Sequence, residues 1–195
     1  SGATAAVGAL VARNDIQGDV SVGFDGLRLD VDGAFSVVTR AAATITSSMT
    51  GSVESSSESG EGGLAASALI ATNTILGSVA VDLDSAAIRT GGGVTIDAGQ
   101  LASIEAVNTA NATGDGGAAS IVLAFNIIGW ESGNLFSQAV GALFGSDWST
   151  EIPVGASVDL DSARIDAGGD VSISAVSASS INAEILASAA ASAAG

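Results

Sequence analysis

The chain has 195 residues and a formal net charge of −16, because 21 acidic residues face only five basic ones, all arginine. It contains no histidine, cysteine or lysine, which excludes Ser-His-Asp and Cys-His catalysis, ordinary zinc sites, Schiff bases and the phosphate-binding P-loop. The charge argues against a nucleic-acid surface, since affinity for phosphates comes mainly from Lys and Arg. Hydrophobic residues reach 47%, so we predict a folded chain, and no apolar run has the length of a membrane span.

The sequence repeats itself from its first strand onward. Residues 10–47 align without a gap onto residues 69–106, at an offset of 59 positions. A third copy follows the second at an offset of 53 up to Ile128 and at 77 from Val158 onward, so an insertion adds 24 residues to it. The three predicted repeats and the insertion in the third span residues 5–63, 64–117, 118–195 and 129–153.

Within each copy, apolar and polar residues alternate in short segments. In the second copy the alternation covers residues 79–84, 94–98 and 102–106, and three glycines at 91–93 separate the first segment from the others. A period of two is typical of half-buried β-strands. Val, Ile and Ala then point to one side and Ser, Thr, Asp and Glu to the other, so we expect the outside of each repeat to be polar.

The fold class follows from the repeat and from the size of its apolar residues. The core candidates are mostly Ala, Val and Ile, with only five Phe in the chain, which suits two closely spaced sheets better than separate small sandwiches. We predict an all-β, elongated parallel β-solenoid (β-helix) of three repeats, in which neighbouring coils complete each other's backbone hydrogen bonds. The pattern is compatible with one flattened coil per repeat or with two to three smaller ones.

The insertion is the most individual part of the sequence. Over residues 134–144 its apolar residues recur at intervals of three and four, which predicts one short amphipathic helix. The apolar face of that helix would pack on the flank of the solenoid or contact another molecule, because Trp and Phe are the usual anchors of interfaces. The predicted interface residues are Trp130, Leu135, Phe136, Val140, Leu143, Phe144 and Trp148.

The most regular stretches of the repeat are residues 163–175, with the sequence ARIDAGGDVSISA, and the corresponding residues 87–98. They resemble the repeat arrays of giant bacterial surface proteins, the filamentous-haemagglutinin-like and autotransporter-like adhesins with parallel β-solenoid shafts. The resemblance covers most of the chain except the insertion. It implies a structural segment of an extracellular or cell-surface bacterial fibre or adhesin, with a glycan or cell surface as a further candidate partner, and no catalytic residue carries over. Residues 3–10 and 181–194 are small and mostly apolar and contain no Lys or Pro. We therefore expect open β-edges that form or extend filaments by stacking, either within a longer parent chain or between copies of this chain.

Three asparagines occupy one position of the repeat: Asn14, Asn73 and Asn126. Equivalent residues of stacked coils lie about 4.8 Å apart, a spacing at which side-chain amides hydrogen-bond along the stack. We therefore predict an internal asparagine ladder with a structural role. A ligand-binding role is disfavoured because one amide per coil offers no charge.

Four aspartates form two pairs that share a strand face: Asp82 with Asp84, and Asp159 with Asp161. Stacked carboxylates repel each other by about 1 kcal/mol at 4 Å in water, and a bound Ca²⁺ would relieve that repulsion because it prefers carboxylate and carbonyl oxygens. Two interpretations stay open, a solvated acidic face and a calcium site. The sequence lacks the glycine-rich nonapeptide of Ca²⁺-binding β-rolls, which favours the first, and no other cofactor is predicted.

Other functions fit the sequence less well. Glycosidases use a pair of carboxylates, but the acids here recur at repeated positions and the chain has no tyrosine, so we expect no enzymatic activity. An ice-binding face would need a uniform array of threonines, whereas Ser, Thr, Asp and Glu are mixed here. The alternative to a structural fibre segment is therefore a solenoid module that binds Ca²⁺ or a glycan.

Overall fold

A computed structural model describes residues 5–56, 62–129 and 154–191. In these ranges the chain forms twelve β-strands and no helix, so the predicted all-β class is confirmed, and the helix predicted over 134–144 lies outside them. The strands are β1 (Ala5–Gln17), β2 (Val20–Asp25), β3 (Arg28–Val31), β4 (Phe35–Ser55), β5 (Leu64–Leu76), β6 (Ser78–Asp84), β7 (Ala87–Thr90), β8 (Val94–Gly114), β9 (Gly117–Ile128), β10 (Gly155–Asp161), β11 (Arg164–Ala167) and β12 (Val171–Ala191).

Four successive strands form one coil of a parallel β-solenoid. Coil 1 consists of β1–β4, coil 2 of β5–β8 and coil 3 of β9–β12. Corresponding strands pair in parallel to give four three-stranded sheets, each with its coil 2 strand in the middle. We name them sheet A (β1, β5, β9), sheet B (β2, β6, β10), sheet C (β3, β7, β11) and sheet D (β4, β8, β12). The predicted parallel solenoid is confirmed, and one sequence repeat makes one large coil.

The register of the strand pairs reproduces the repeat of the sequence. Strands of coils 1 and 2 pair at an offset of 59 residues, as Asn14 with Asn73. The offset between coils 2 and 3 is 53 in sheet A and 77 in sheets B, C and D. The offset changes between Gly129 and Val154. These two residues lie close together, since a Cβ added to Gly129 would lie 2.6 Å from the Cβ of Val154. The insertion therefore begins and ends at one point of the coil.

Each coil is flattened around a thin core. The 21-residue strands of sheet D form one long side, at about 3.3 Å per residue roughly 70 Å in length, and they pack against the strands of sheets A and B. Small and medium side chains fill the space between the two sides, with Leu69, Ile75 and Leu83 among those fully buried. Three strands at about 4.8 Å spacing make the stack much shorter than the coil is wide. The described segment is thus elongated along its strands.

The corner between sheets B and C requires a left-handed residue in every coil. Gly26, Ser85 and Ser162 occupy equivalent positions there and have φ of 63°, 51° and 52°. Only Gly adopts this conformation without a steric penalty. In coils 2 and 3 the serine hydroxyl donates a hydrogen bond to the preceding aspartate, over 2.9 Å from Ser85 to Asp84. The corner thus turns the strand direction at the same place in each coil.

The outside of the solenoid is polar on one long side and apolar on the other. On sheet D most outward rows carry hydroxyls, and Ser180 Oγ donates to Ser103 Oγ over 3.1 Å. One outward row there, which contains Leu101, is apolar. On sheet A, Val11, Ile70 and Leu123 form one outward row across the three strands. Val11 and Leu123 are exposed. The predicted polar exterior is therefore wrong for sheet A, whose strands are apolar at consecutive positions instead of alternating.

Candidate functional site

The end of the solenoid formed by coil 3 leaves its core open. Ile104 and Ile181 occupy the same inward position of sheet D, yet Ile104 is 0% exposed in coil 2 and Ile181 is 50% exposed in coil 3. Ile96 and Ile173 differ in the same way, at 0% and 44%. The side chains that form a core in the middle coil therefore face solvent at the end.

The opposite end, formed by β1 and β2, is open as well. Leu69 of coil 2 is 1% exposed, whereas Leu10, its register partner in β1, is 45% exposed. Val79 is buried, and its partner Val20 in β2 is exposed. Equivalent positions of the repeat therefore differ in burial, because the inward side chains of β1 and β2 have a neighbouring coil on one side only.

The two long sides of the solenoid are staggered along its axis, which determines the strands that form the ends. Strand β4 contacts both β1 and β5, so inward residues of β4 such as Ile45 stay buried although coil 1 is terminal. Strand β12 contacts β9 and pairs with β8 only. Among the described residues, β1 in sheet A and β12 in sheet D are thus the outermost strands, each with one unpaired backbone edge.

The three predicted asparagines come together inside sheet A. The Asn14 Nδ2 donates to the Asn73 Oδ1 over 2.8 Å, and the Asn73 Nδ2 donates to the Asn126 Oδ1 over 2.7 Å. Asn73 is fully buried, so both of its hydrogen bonds satisfy polar atoms that water cannot reach. The side chains form a ladder that runs along the solenoid axis.

This ladder has a direction. In both hydrogen bonds the donor lies in the lower-numbered coil and the acceptor in the next coil. Within the described part of the chain, the ladder therefore leaves the Asn14 Oδ1 as a free acceptor at one end and the Asn126 Nδ2 as a free donor at the other. A chain of hydrogen bonds polarised in one sense strengthens its terminal donor and acceptor. The two open ends of the solenoid are therefore chemically complementary to each other.

The four predicted aspartates also lie together, on the exposed outer face of sheet B. Asp82 pairs in register with Asp159, and Asp84 with Asp161. Asp25 extends the second row into coil 1, whereas Gly23 takes the corresponding place in the first row. Over residues 5–56, 62–129 and 154–191, no three His, Cys, Asp or Glu side chains are grouped so as to hold a metal ion.

The corner formed by sheet C holds three of the five arginines. Arg28, Ala87 and Arg164 form one outward row across the coils, and Asp30, Arg89 and Asp166 form the next. Coils 1 and 3 thus present the same Arg and Asp pattern, while coil 2 differs. The second row places opposite charges directly across adjacent strands, with Arg89 between Asp30 and Asp166, an arrangement that stabilises neighbouring strands modestly.

The predicted interface residues of the insertion, from Trp130 to Trp148, lie outside the described residues. What the structure gives is their point of attachment. The insertion leaves after Gly129, whose backbone N–H donates to the Ile75 carbonyl over 3.1 Å, and the chain resumes at Val154. Both residues lie at the end of sheet A, the sheet with the apolar outer face.

Sequence reasoning missed the apolar outer face of sheet A. The signal was present in consecutive apolar residues such as Leu10 with Val11 and Leu69 with Ile70. Such runs are typical of strands covered on both faces. The alternation of apolar and polar residues in the strands of sheets B and D led to the prediction of a polar exterior for the whole repeat, including sheet A.

No family model matches the chain, and neither the curated proteins nor the solved structures contain a match. In the described ranges, no helix has both the length and the hydropathy needed to span a membrane.

Proposed function

We propose that the chain is a structural repeat segment of an extracellular bacterial fibre or adhesin, which forms or extends filaments by stacking of its β-edges. The observation that supports the proposal most directly is the difference between coil 2 and coil 3. Ile104 is fully buried in coil 2, and its equivalent Ile181 is half exposed at an open end. A further coil at that end would complete the core.

Physical chemistry favours covering both ends. Exposed strand edges offer unpaired N–H and C=O groups to any strand that can align with them, and proteins that remain monomeric protect such edges with charge, proline or bulges. Strand β12 carries one charged residue, Glu184, over its 21 residues. Burial of apolar surface contributes about 25 cal/mol per Å², so each added coil is stabilised by its neighbour.

The location at a bacterial cell surface rests on the resemblance of residues 87–98 and 163–175 to the shafts of adhesins. In such a shaft the repeats provide mechanical strength and length, and they catalyse no reaction. The proposal therefore assigns no catalytic residue and no cofactor. It leaves adhesion itself, to a glycan or to another component of a cell surface, to segments that project from the coils.

The insertion is the candidate for such a projecting contact. Its aromatic and aliphatic residues are suited to anchor a lateral contact between filaments. The double substitution Phe136→Ser with Phe144→Ser should reduce lateral association and leave the β-sheet signal and the melting temperature nearly unchanged. A double variant that fails to fold would show instead that these side chains belong to the core.

The proposed function is tested by the association of the purified chain. Sedimentation velocity over a range of concentrations should show growth beyond the monomer, and electron microscopy should show linear assemblies. A chain that sediments as a strict monomer up to its solubility limit would contradict the proposal.

A further inference from the structure

We propose that the insertion docks on the outer face of sheet A of its own chain, at the end of that face where the chain leaves the solenoid. Trp130 and Trp148, the tryptophans nearest the two junctions, are the anchors of this contact. Phe136 and Phe144, in the middle of the insertion, stay available for the lateral contact of the proposed function. The inference goes beyond that function, because it concerns a single chain and holds whether or not filaments form.

Burial on the outer face of sheet A increases along its middle strand, β5. Leu64, at the far end of the strand, is 52% exposed, and Ile70 is half-buried. Thr72 and Thr74 follow Ile70 at alternate positions and point to the same face, yet they are 0% and 4% exposed. Thr109 of β8 also points outward from coil 2, on sheet D, and is only half-buried. The end of the face that holds Thr72 and Thr74 is therefore covered.

Across the sheet, the covered region lies next to the strand that leads into the insertion. In β9, Ile121 is 58% exposed, whereas Phe125 and Ile127 are half-buried on the same face, although β9 is an edge strand of sheet A. In β1, the register partners of the two threonines are Arg13 and Asp15, and both are exposed. The cover therefore lies over β5 and β9, beside the point where the insertion begins.

The described strands do not supply this cover. Apart from their neighbours in sheet A, β5 and β9 pack mainly against β4, β8 and β12, which belong to sheet D on the inner side. The Arg13 guanidinium is held by Asp15 of its own strand over 2.5 Å, so it does not account for the burial of the threonines. A further coil would pair with an edge of sheet A and would leave its outer face open. The insertion is the segment of this chain that is attached at the covered end.

The hydroxyls of Thr72 and Thr74 give an independent indication. Both Oγ1 atoms are buried and lack a hydrogen-bond partner among the described residues. On a face open to solvent, water would hydrogen-bond to them, and buried polar groups are rarely left without a partner. The cover therefore excludes water and is apolar at this point, as the body of a tryptophan ring is.

The junction allows both tryptophans to reach the covered end. The Gly129 N–H still pairs with coil 2, and its φ of 57° then turns the chain away from the strand. Trp130 follows directly, and Trp148 precedes Val154 by six positions, or about 20 Å of extended chain. Thr72 lies four positions before the end of β5, or about 13 Å. The anchors and the buried threonines are thus within reach of each other.

The first test uses the fluorescence of Trp130 in a Trp148→Phe variant. Docking predicts emission at shorter wavelength than that of tryptophan in water, together with protection from acrylamide quenching. Thr74→Lys places a charge beneath the cover and should abolish the protection, whereas Thr109→Lys, on the outer face of sheet D, should leave it unchanged. Circular dichroism establishes that each variant folds. Protection that survives Thr74→Lys, or Trp130 that is quenched as readily as free tryptophan, would overturn the inference.

The second test removes the insertion and does not require that Thr74→Lys folds. Deletion of residues 130–153 joins Gly129 directly to Val154, which restores the coil 2 spacing of Leu76 and Gly77. In the full chain, Thr74→Val removes a buried unpaired hydroxyl and should raise the melting temperature. In the deletion variant the same hydroxyl is hydrated, so Thr74→Val should leave the melting temperature nearly unchanged.

Equal effects of Thr74→Val in the two chains would overturn the inference, because the insertion would then not shield that threonine. Neither test depends on association between chains. A chain that stays monomeric would therefore contradict the proposed function and leave this inference standing, so the two failures are distinguishable.

Discussion

Coil 2 and coil 3 have nearly the same inward residues and very different surroundings. Val94, Ile96 and Ile104 of β8 are fully buried, whereas Val171, Ile173 and Ile181 of β12 are about half exposed at the same positions. The difference shows that the core of a coil is closed by the side chains of its neighbouring coils. A coil is completed by the coils on either side of it, as expected for repeat proteins whose stability is the sum of repeat and nearest-neighbour terms.

The largest effect should come from removing the same side chain in the two coils. Ile104→Ala in coil 2 should lower the free energy of unfolding by about 2–5 kcal/mol, because it leaves a cavity in a closed core. Ile181→Ala in coil 3 should cost less than about half as much, since its site is already open to water. Urea unfolding of the monomeric chain measures both. Equal losses would mean that the end of coil 3 is covered in solution.

A second comparison within coil 2 concerns two buried asparagines that differ in hydrogen bonding. Asn73 and Asn108 are both 0% exposed. Asn73 makes two ladder hydrogen bonds, whereas both amide atoms of Asn108 lack a hydrogen-bond partner among the described residues. Asn108 pairs in register with Met49 and Ile185, so its position is otherwise apolar.

Valine substitutions at these two positions should therefore act in opposite directions. Asn73→Val should destabilise the chain by about 2–4 kcal/mol, because it leaves the Asn14 donor and the Asn126 acceptor unpaired. Asn108→Val should stabilise it by about 1–2 kcal/mol, because it removes a buried polar group that has no partner. Thermal and urea unfolding of both variants provide the measurement. A destabilising Asn108→Val would show that an ordered water satisfies that amide.

The aspartate rows give a smaller effect, which separates the two interpretations of the acidic face. Asp84 and Asp161 are exposed and stacked in register, and the chain carries a net charge of −16. NaCl, MgCl₂ and CaCl₂ at equal ionic strength should raise the melting temperature by similar amounts, because screening does not distinguish these cations. A rise specific to calcium, abolished by Asp84→Asn, would instead establish binding to the folded state.

Most of the fold could be predicted from the sequence because the offset between sequence repeats equals the offset between residues that pair on adjacent strands. The offsets of 59, 53 and 77 residues recur as the pairing of Asn14 with Asn73, Asn73 with Asn126 and Asp82 with Asp159. Coil size could not be predicted, since period-two alternation reports which side chains point inward and not where a chain turns. The left-handed corner at Ser85 carries no glycine to mark it.

The open ends could be inferred only in part. The sequence shows small, mostly apolar residues over 3–10 and 181–194, but it cannot show which strands are outermost. That depends on the stagger between sheets A and D, which buries Ile45 in coil 1 and exposes Leu10 in the same coil. The apolar outer face of sheet A was missed for a related reason, because a continuous apolar run does not reveal whether its second face is covered.

The smallest expected effect concerns the corner between sheets B and C, where coil 1 and coil 2 use different residues for one conformation. Gly26 and Ser85 share a left-handed φ of 63° and 51°. Gly26→Ser should destabilise coil 1 by about 1 kcal/mol, because a Cβ is unfavourable in this region.

The reverse change in coil 2 should have little effect. Ser85→Gly relieves the same strain, but it loses the hydrogen bond from the Ser85 hydroxyl to Asp84 and increases the entropy of the unfolded chain. We therefore expect a change below about 1 kcal/mol in the free energy of unfolding. If Ser85→Gly destabilises the chain more than Gly26→Ser does, the serine–aspartate hydrogen bond, rather than the backbone conformation, determines the stability of this corner.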